Sequence, residues 1–253
     1  MSLSPRSLRD GIKASLVANV LSRVLGLVRQ MLVAGYFGVS FAMDVYFMVL
    51  ALIQMIVFTA TAAFEQAALP HLVTAREQDG DEAFSVLAGR LFFWSWVVGG
   101  FMAVATLTLF PPLAVRIADG FSDVKKKELV EMSWRFAPWV FLCAPASCAN
   151  VILRGRSLYD WVVINELGSA VVSVAGILLW HSSPHSLPGI MAGAAATGVV
   201  LFVMVGSRFM KFKGKAPRIA LLLKQSGKLI VAQKVSLSSS VADRFIQSHL
   251  PSG

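Results

Sequence analysis

The sequence predicts an all-α polytopic membrane protein, a bundle of six transmembrane helices followed by the start of a seventh. Three observations carry this. The 253 residues are 56% hydrophobic and only 15% charged, with mean hydropathy +0.69, whereas a soluble domain carries about 25% charged residues. The apolar residues come in runs of the length a bilayer crossing needs, about 20 residues. Most of the Lys and Arg stand between those runs, where positive charge sets membrane orientation.

The six spans fall at residues 12–37, 42–69, 84–110, 134–153, 161–180 and 190–209. The opening "MSLSPRSLRDGIK" is basic, and the run after it holds Arg23 and has no short apolar stretch ending in a small-residue cleavage site. It reads as a cytoplasmic tail and a retained first helix rather than a signal peptide. "YFGVSFAMD" supplies a short turn, and "LPHLVTAREQDGDEA" a polar loop opened by Pro70. "PPLAVRIADGFSDVKKKELVEMS" starts on a double proline and continues as an amphipathic surface segment. "RGRSLYD" is short and basic, "HSSPHSLPG" is uncharged, and "RFMKFKGKAPR" is strongly basic. Residues 1–209 are thus expected to form one six-helix unit. Residues 210–227 would be a basic cytoplasmic linker with an amphipathic segment, and 228–253 part of a seventh helix.

With the N-terminus inside, the cytoplasmic positions collect Arg6, Arg9, Lys13, Arg76, Arg154, Arg156, Arg208, Lys211, Lys213, Lys215 and Arg218. The outer loops collect only Arg116 and Lys125, Lys126 and Lys127, all in the middle one. That bias predicts an N-in orientation. The net charge of +9 does not point to nucleic acid, because the basic residues form no stripe interleaved with stacking aromatics. Cys143 and Cys148 share one apolar run and read as packing residues. No constellation of an enzyme emerges. His181 and His185 stand in a Pro/Ser loop that reads as a plain connection.

The residues that carry chemistry lie in the first span. An arginine at the centre of a transmembrane helix costs roughly 2.5–3.5 kcal/mol, and each Leu or Val returns only about 0.3–0.6. "NVLSRVLGLVRQMLVAGYFG" holds two, Arg23 and Arg29. At about 100° per residue, Ser15, Asn19, Ser22, Arg23, Gly26, Arg29 and Gln30 fall in one stripe about 120° wide, with Leu, Val and Met on the rest of the circumference. Intramembrane cations are functional candidates. Two guanidiniums about 9 Å apart along the axis suit an extended anion such as a diphosphate. The plainer alternative is an ion pair with Asp44 on the second helix, which would satisfy one arginine and leave the other. Gln54 and Glu65 share roughly one side of the second helix with Asp44. Glu65 reads either as a protonatable coupling group or as a hydrated position near the cytoplasm. Asn165 and Glu166 near the start of the fifth span carry the same pair of readings.

"SRVLGLVRQMLVAGYFGVSFAMDVYF" (residues 22–47) resembles the lipid II flippase family, MurJ/MviN, of the multidrug/oligosaccharidyl-lipid/polysaccharide exporter superfamily. In that family an S-R-x-L-G-x-x-R segment on helix one is followed by F-G and then D-A-F-F. "AAFEQAALPHL" is similar to the family's G-A-F-S-x-A-F-x-P segment, and "DRFIQSHLPSG" to its polar seventh helix. The resemblance implies one lobe of a two-lobed exporter fold, with 228–253 opening the second lobe. It implies a flippase of the bacterial cytoplasmic membrane that carries undecaprenyl-diphosphate-linked peptidoglycan precursor by alternating access. It further implies that Arg23, Arg29 and Asp44 match cavity-lining charged positions, that the polyprenyl tail stays among membrane lipids, and that no cofactor is needed beyond coupling to the membrane potential or an ion. The family's usual arginine pair in helix two is replaced here by "IQMIVFTATAAF", and "WVVINELGSAVV" has no proline. Both departures leave room for another polyprenyl-linked glycan, such as an exopolysaccharide precursor. The expected second lobe would come from a longer chain or a partner, and a non-transporting remnant or scaffold is the remaining alternative.

Overall fold

Long apolar runs without water to bond the backbone must close their hydrogen bonds within each segment, so they fold as helices. The computed structural model describes residues 8–38, 40–109, 111–112 and 123–212, with side chains from residue 20 onward. It contains α1 (Leu8–Phe37), α2 (Phe41–Gln78), α3 (Gly80–Thr108), α4 (Asp123–Gly155), α5 (Tyr159–Leu179) and α6 (Leu187–Gly206). Short 3₁₀ turns at Pro184–Ser186 and Ser207–Phe209 flank α6. The described residues hold no strand, and all six helices are long and apolar enough to cross a membrane. The chain is a multi-pass membrane protein.

The connections have local causes. Gly38 takes φ +55°, a conformation open to glycine at little cost, and its N–H bonds the Ala34 carbonyl at 3.0 Å to end α1. Ser40 then caps α2 by accepting from the Met43 N–H. Between α4 and α5, Ser157 sits at φ +62° while the Leu158 N–H returns to the Leu153 carbonyl at 2.9 Å. Arg76 donates to the Gly155 carbonyl and to Ser157 Oγ across this turn. Arg156 clamps Asp81 with both nitrogens and lies over the Phe84 and Phe209 rings.

Two expectations are corrected. The stretch from Pro70 to Gln78, expected as a loop, continues α2. Its Ala67, Ala68, Leu72 and Ala75 are buried against α3 and α4, and that packing outweighs the one backbone bond Pro70 removes. The expected amphipathic surface segment is, from Asp123 on, the first turns of α4, which runs unbroken into the fourth span. Residues 113–122 and 213–253, and with them most of the expected linker and all of the seventh helix, lie outside the described residues.

α4 is central and packs against α2, α3 and α6, while α1 leans mainly on α5. The apolar core is split in two. One cluster, around Tyr46, Ile53, Met132, Phe136, Ile177 and Ile190, fills the end where α1 meets α2. The other, around Leu72, Phe84, Leu91, Ile152, Val199 and Phe202, fills the opposite end. Along α4 and α5, polar residues fall between the two. Asn165 Nδ2 donates to Asn150 Oδ1 at 2.7 Å, Ser147 Oγ donates to Glu65 at 2.7 Å, and Ser173 is buried. Loop histidines pin the first end. His181 stacks on Tyr36 with centroids 4.4 Å apart, and His185 Nε2 lies 3.1 Å from Glu128.

Candidate functional site

α1 does not close fully against the first cluster, whose Trp139, Tyr46 and Met191 line the space it leaves. Two adjoining hollows of about 350 and 510 Å³ run along the inner side of α1. Arg29, Gln54, Ser173 and Met191 line both, so they form the waist of one continuous groove. Ser22, Gly26, Trp139 and Ser169 wall the first part. Gln30, Tyr46 and Leu187 wall the second, toward the α1–α2 turn. Arg29 is the only charged residue among the described residues lining either part.

Among its described side chains, the polar stripe on α1 lies along this hollow with one exception. Ser22, Gly26, Arg29 and Gln30 line the groove, whereas Arg23 is exposed and lines neither part. The Asn19 side chain lies outside the described residues. Among the described residues neither Arg23 nor Arg29 makes an ion pair with a carboxylate. Asp44, the partner the plainer reading required, instead lies 3.5 Å from Lys125 Nζ, which also stands over the Phe41 ring. Gln54, the second-helix candidate, faces Arg29 across the waist.

Glu65 and Glu166 are brought together, but away from the groove. Arg154 joins them, with Nη1 3.4 Å from Glu65 and Nη2 3.2 Å from Glu166. Each of the three side chains is about a third exposed. In the sequence Arg154 reads as a loop charge because it ends an apolar run. Its role depends on a long side chain reaching back along α4, which local sequence does not encode. Ser173 also escapes a sequence reading, since a lone serine in an apolar run carries no signal by itself.

Chemically, the waist is a set of donors. It presents a planar guanidinium and an amide beside Ser173, with no acid among the described lining residues. An arginine half-buried in such a place suits a bidentate oxyanion such as a phosphoryl group.

Comparison with known proteins gives the wider frame. No family model matches the chain. It is similar to the lipid II flippase MurJ of Thermosipho africanus (strain TCF52B), 23% identical over 201 residues, 78% of this chain and 40% of that protein. Among solved structures it resembles a point mutant of a MATE protein, with TM-score 0.73 and 13% identity over 93% of this chain and 54% of that one. It also resembles a MOP superfamily transporter from Pyrococcus furiosus at TM-score 0.68 and 14% identity, 93% of this chain and 53% of that one. A lipid II flippase MurJ in an inward closed conformation aligns at TM-score 0.61 and 22% identity, 90% of this chain and 49% of that one. The chain spans about half the length of these structures and less of the curated relative. It is MurJ-like in sequence, and its described residues have the fold of one half of a MOP-superfamily transporter.

Proposed function

We propose that this chain supplies one lobe of a flippase that moves an undecaprenyl-diphosphate-linked saccharide across the bacterial cytoplasmic membrane, lipid II being the first candidate. The N-terminus would be cytoplasmic, as the Lys and Arg distribution favours. The observation that carries the reading is Arg29, an intramembrane cation at the waist of a groove with no carboxylate partner among the described residues. Hydrocarbon does not hold such a charge unless a partner or a ligand meets it.

In this reading the protein is a transporter, not an enzyme. The groove receives the diphosphate and the start of the head group while the polyprenyl tail remains in lipid. A second lobe, from a longer chain or a partner, would rock against this one around the site, since alternating access requires two bundles. Arg23, on the exposed side of the same helix, is available to the cargo or to that second lobe. The drive would be the membrane potential or a coupled ion. One observation favours a cargo other than lipid II: between Asp44 and Glu65, α2 carries no charged residue, so the cationic wall comes from α1 alone.

The test is complementation by the full-length protein in cells depleted of their own lipid II flippase. Growth should be restored by the wild type and lost with Arg29→Ala at equal membrane level, with Arg23→Ala impaired. Rescue of an exopolysaccharide pathway instead would move the assignment to that glycan. Full activity of both variants would overturn the proposal, and failure of the wild type to restore either pathway would leave the scaffold or remnant reading.

A further inference from the structure

The chain does not run straight on from the end of α6. After the 3₁₀ turn at Ser207–Phe209 it becomes extended at Met210 (φ −113°, ψ 128°) and crosses the first turns of α3. There the Lys211 N–H bonds the Ser85 carbonyl at 3.0 Å. In a regular helix that carbonyl already accepts from the residue four positions on, so Lys211 uses its second lone pair. The residue four positions on is Gly89, and its lack of a side chain is what admits the crossing. A Cβ there would stand 2.5 Å from the Lys211 carbonyl oxygen, 3.0 Å from its carbon and 3.4 Å from its nitrogen. The flanking side chains are held as well. Met210 packs against the second core cluster, Lys211 Nζ lies 3.0 Å from Glu82, and the Arg156 guanidinium stands over the Phe209 ring at 5.2 Å. Arg156 belongs to the α4–α5 turn and also holds Asp81, which lies 3.7 Å from Arg76 near the end of α2. The exit from α6 is thus stitched to α2, to α3 and to the α4–α5 turn.

We infer that the crossing of Lys211 over Gly89 is a fixed mount, through which this bundle is pulled as one body by whatever follows residue 212. The last carbonyls of a helix have no donors of their own, so a pull on a free exit would fray the end of α6 and go no further. A mount on α3 passes the same pull to four helices and a turn. The side-chain pairs alone would not do this. Lys211 and Glu82 are 59% and 79% exposed, and such a pair is worth little. The backbone bond and the seat made by Gly89 carry the attachment, with the Phe209 ring and Met210 holding it in register. The groove lies along α1, away from this crossing, so the mount acts on movement and not on cargo. The inference rests on the two-lobe reading for what lies beyond the mount, since rocking of one bundle against another needs bodies that do not yield where they are joined.

The experiment compares the full-length wild type with Gly89→Ala by three readouts. These are hydrogen exchange in nanodiscs resolved to single amides, the midpoint of thermal unfolding, and complementation of flippase-depleted cells at equal membrane level. In the wild type the Lys211 amide should exchange about tenfold or more slowly than in an unstructured chain, the scale of one closed hydrogen bond. Gly89→Ala should abolish that protection and lose complementation. Its unfolding midpoint should stay level or rise, because alanine is the better helix former and the nearest atoms its Cβ meets are those of Lys211. Free exchange of Lys211 in the wild type would overturn the inference. So would a Gly89→Ala protein that loses protection and still complements fully, because the crossing would then be a packing detail. Should Gly89→Ala lower the midpoint or fail to fold, Lys211→Pro carries the same comparison. It removes the donor and leaves α3 untouched, and the extended Met210 suits the residue before a proline. A wild type that protects Lys211 but rescues no pathway would sink the flippase reading and leave the attachment standing. A wild type that rescues growth with Lys211 exchanging freely would do the reverse.

Discussion

Arg154 and Glu65, on α4 and α2, are ion-paired at 3.4 Å, and the same guanidinium reaches Glu166 on α5 at 3.2 Å. One cation therefore ties three helices, and Ser147 adds a third contact through the other Glu65 oxygen. The acid and its distant cation line neither part of the groove, so their function in the fold can be separated from that of the groove.

Replacing Arg154 with Met should destabilise the protein more than replacing either acid. It leaves two carboxylates facing each other with nothing between them. Each group is about a third exposed, so the loss should fall between surface and buried ion pairs, roughly 1–3 kcal/mol. Adding Glu65→Gln and Glu166→Gln to Arg154→Met should recover most of it. Thermal unfolding in detergent, followed by tryptophan emission, reads the series. If the triple variant is no better than Arg154→Met, charge balance is not what the three residues provide.

Asp44→Asn should leave stability within about 1 kcal/mol of wild type, because its pair with Lys125 is 60% exposed on the Asp44 side and such pairs are worth little. Any larger loss of transport in the full-length protein would then reflect contact with cargo or with the second lobe. The charge-swapped pair Asp44→Lys with Lys125→Asp separates the cases. Restored transport assigns Asp44 to the fold, and continued loss assigns it to the site.

Pro145 has no N–H, so the Phe141 carbonyl four residues earlier loses its helical donor. Gly99 of α3 packs onto that carbonyl so closely that a Cβ there would collide with the oxygen and crowd the carbonyl carbon. The contact of helix backbone on an orphaned carbonyl, of the Cα–H to oxygen kind, exists because residue 99 has no side chain. Gly99→Ala should force α3 and α4 apart and cost about 1–3 kcal/mol. Gly100→Ala is the matched control, since its Cβ would meet only the Phe141 ring edge at 3.9 Å. Equal unfolding midpoints for the two variants would refute this account.

What can be read from the sequence follows from where the information sits. The six spans are legible because hydropathy is local and the bilayer demands about 20 residues of it. The polar stripe on α1 is legible because a helix fixes angle by position alone, and Ser22, Gly26, Arg29 and Gln30 do share a side. Arg23 shows the limit of that arithmetic: it lies at the stripe's edge, and only packing against α5 decides which side of the edge is enclosed. The pairing of Arg154 with Glu65 joins residues 89 positions apart, and no local pattern records it. Asp44 is expected opposite an arginine, but the lysine it meets lies in a stretch whose helical continuation into the fourth span has no local signal.

The end of the second span escapes the sequence for the same kind of reason, and it yields a prediction of unusual sign. Pro70 lies inside α2 and is exposed, so its ring contributes little packing. It still deprives the Gln66 carbonyl of a donor and crowds it, at a cost of about 3 kcal/mol in an ordinary helix interior. The segment stays helical because Leu72 and Ala75 beyond it are buried against α3 and α4. Pro70→Ala should restore the missing bond without disturbing those contacts, and so raise the unfolding midpoint rather than lower it. If the full-length variant is more stable and transports less, Pro70 is kept as a point of give in α2. A lower midpoint would mean that the bend imposed by the proline is needed to seat Leu72 and Ala75, and the argument that packing overrides the proline would have to be reversed.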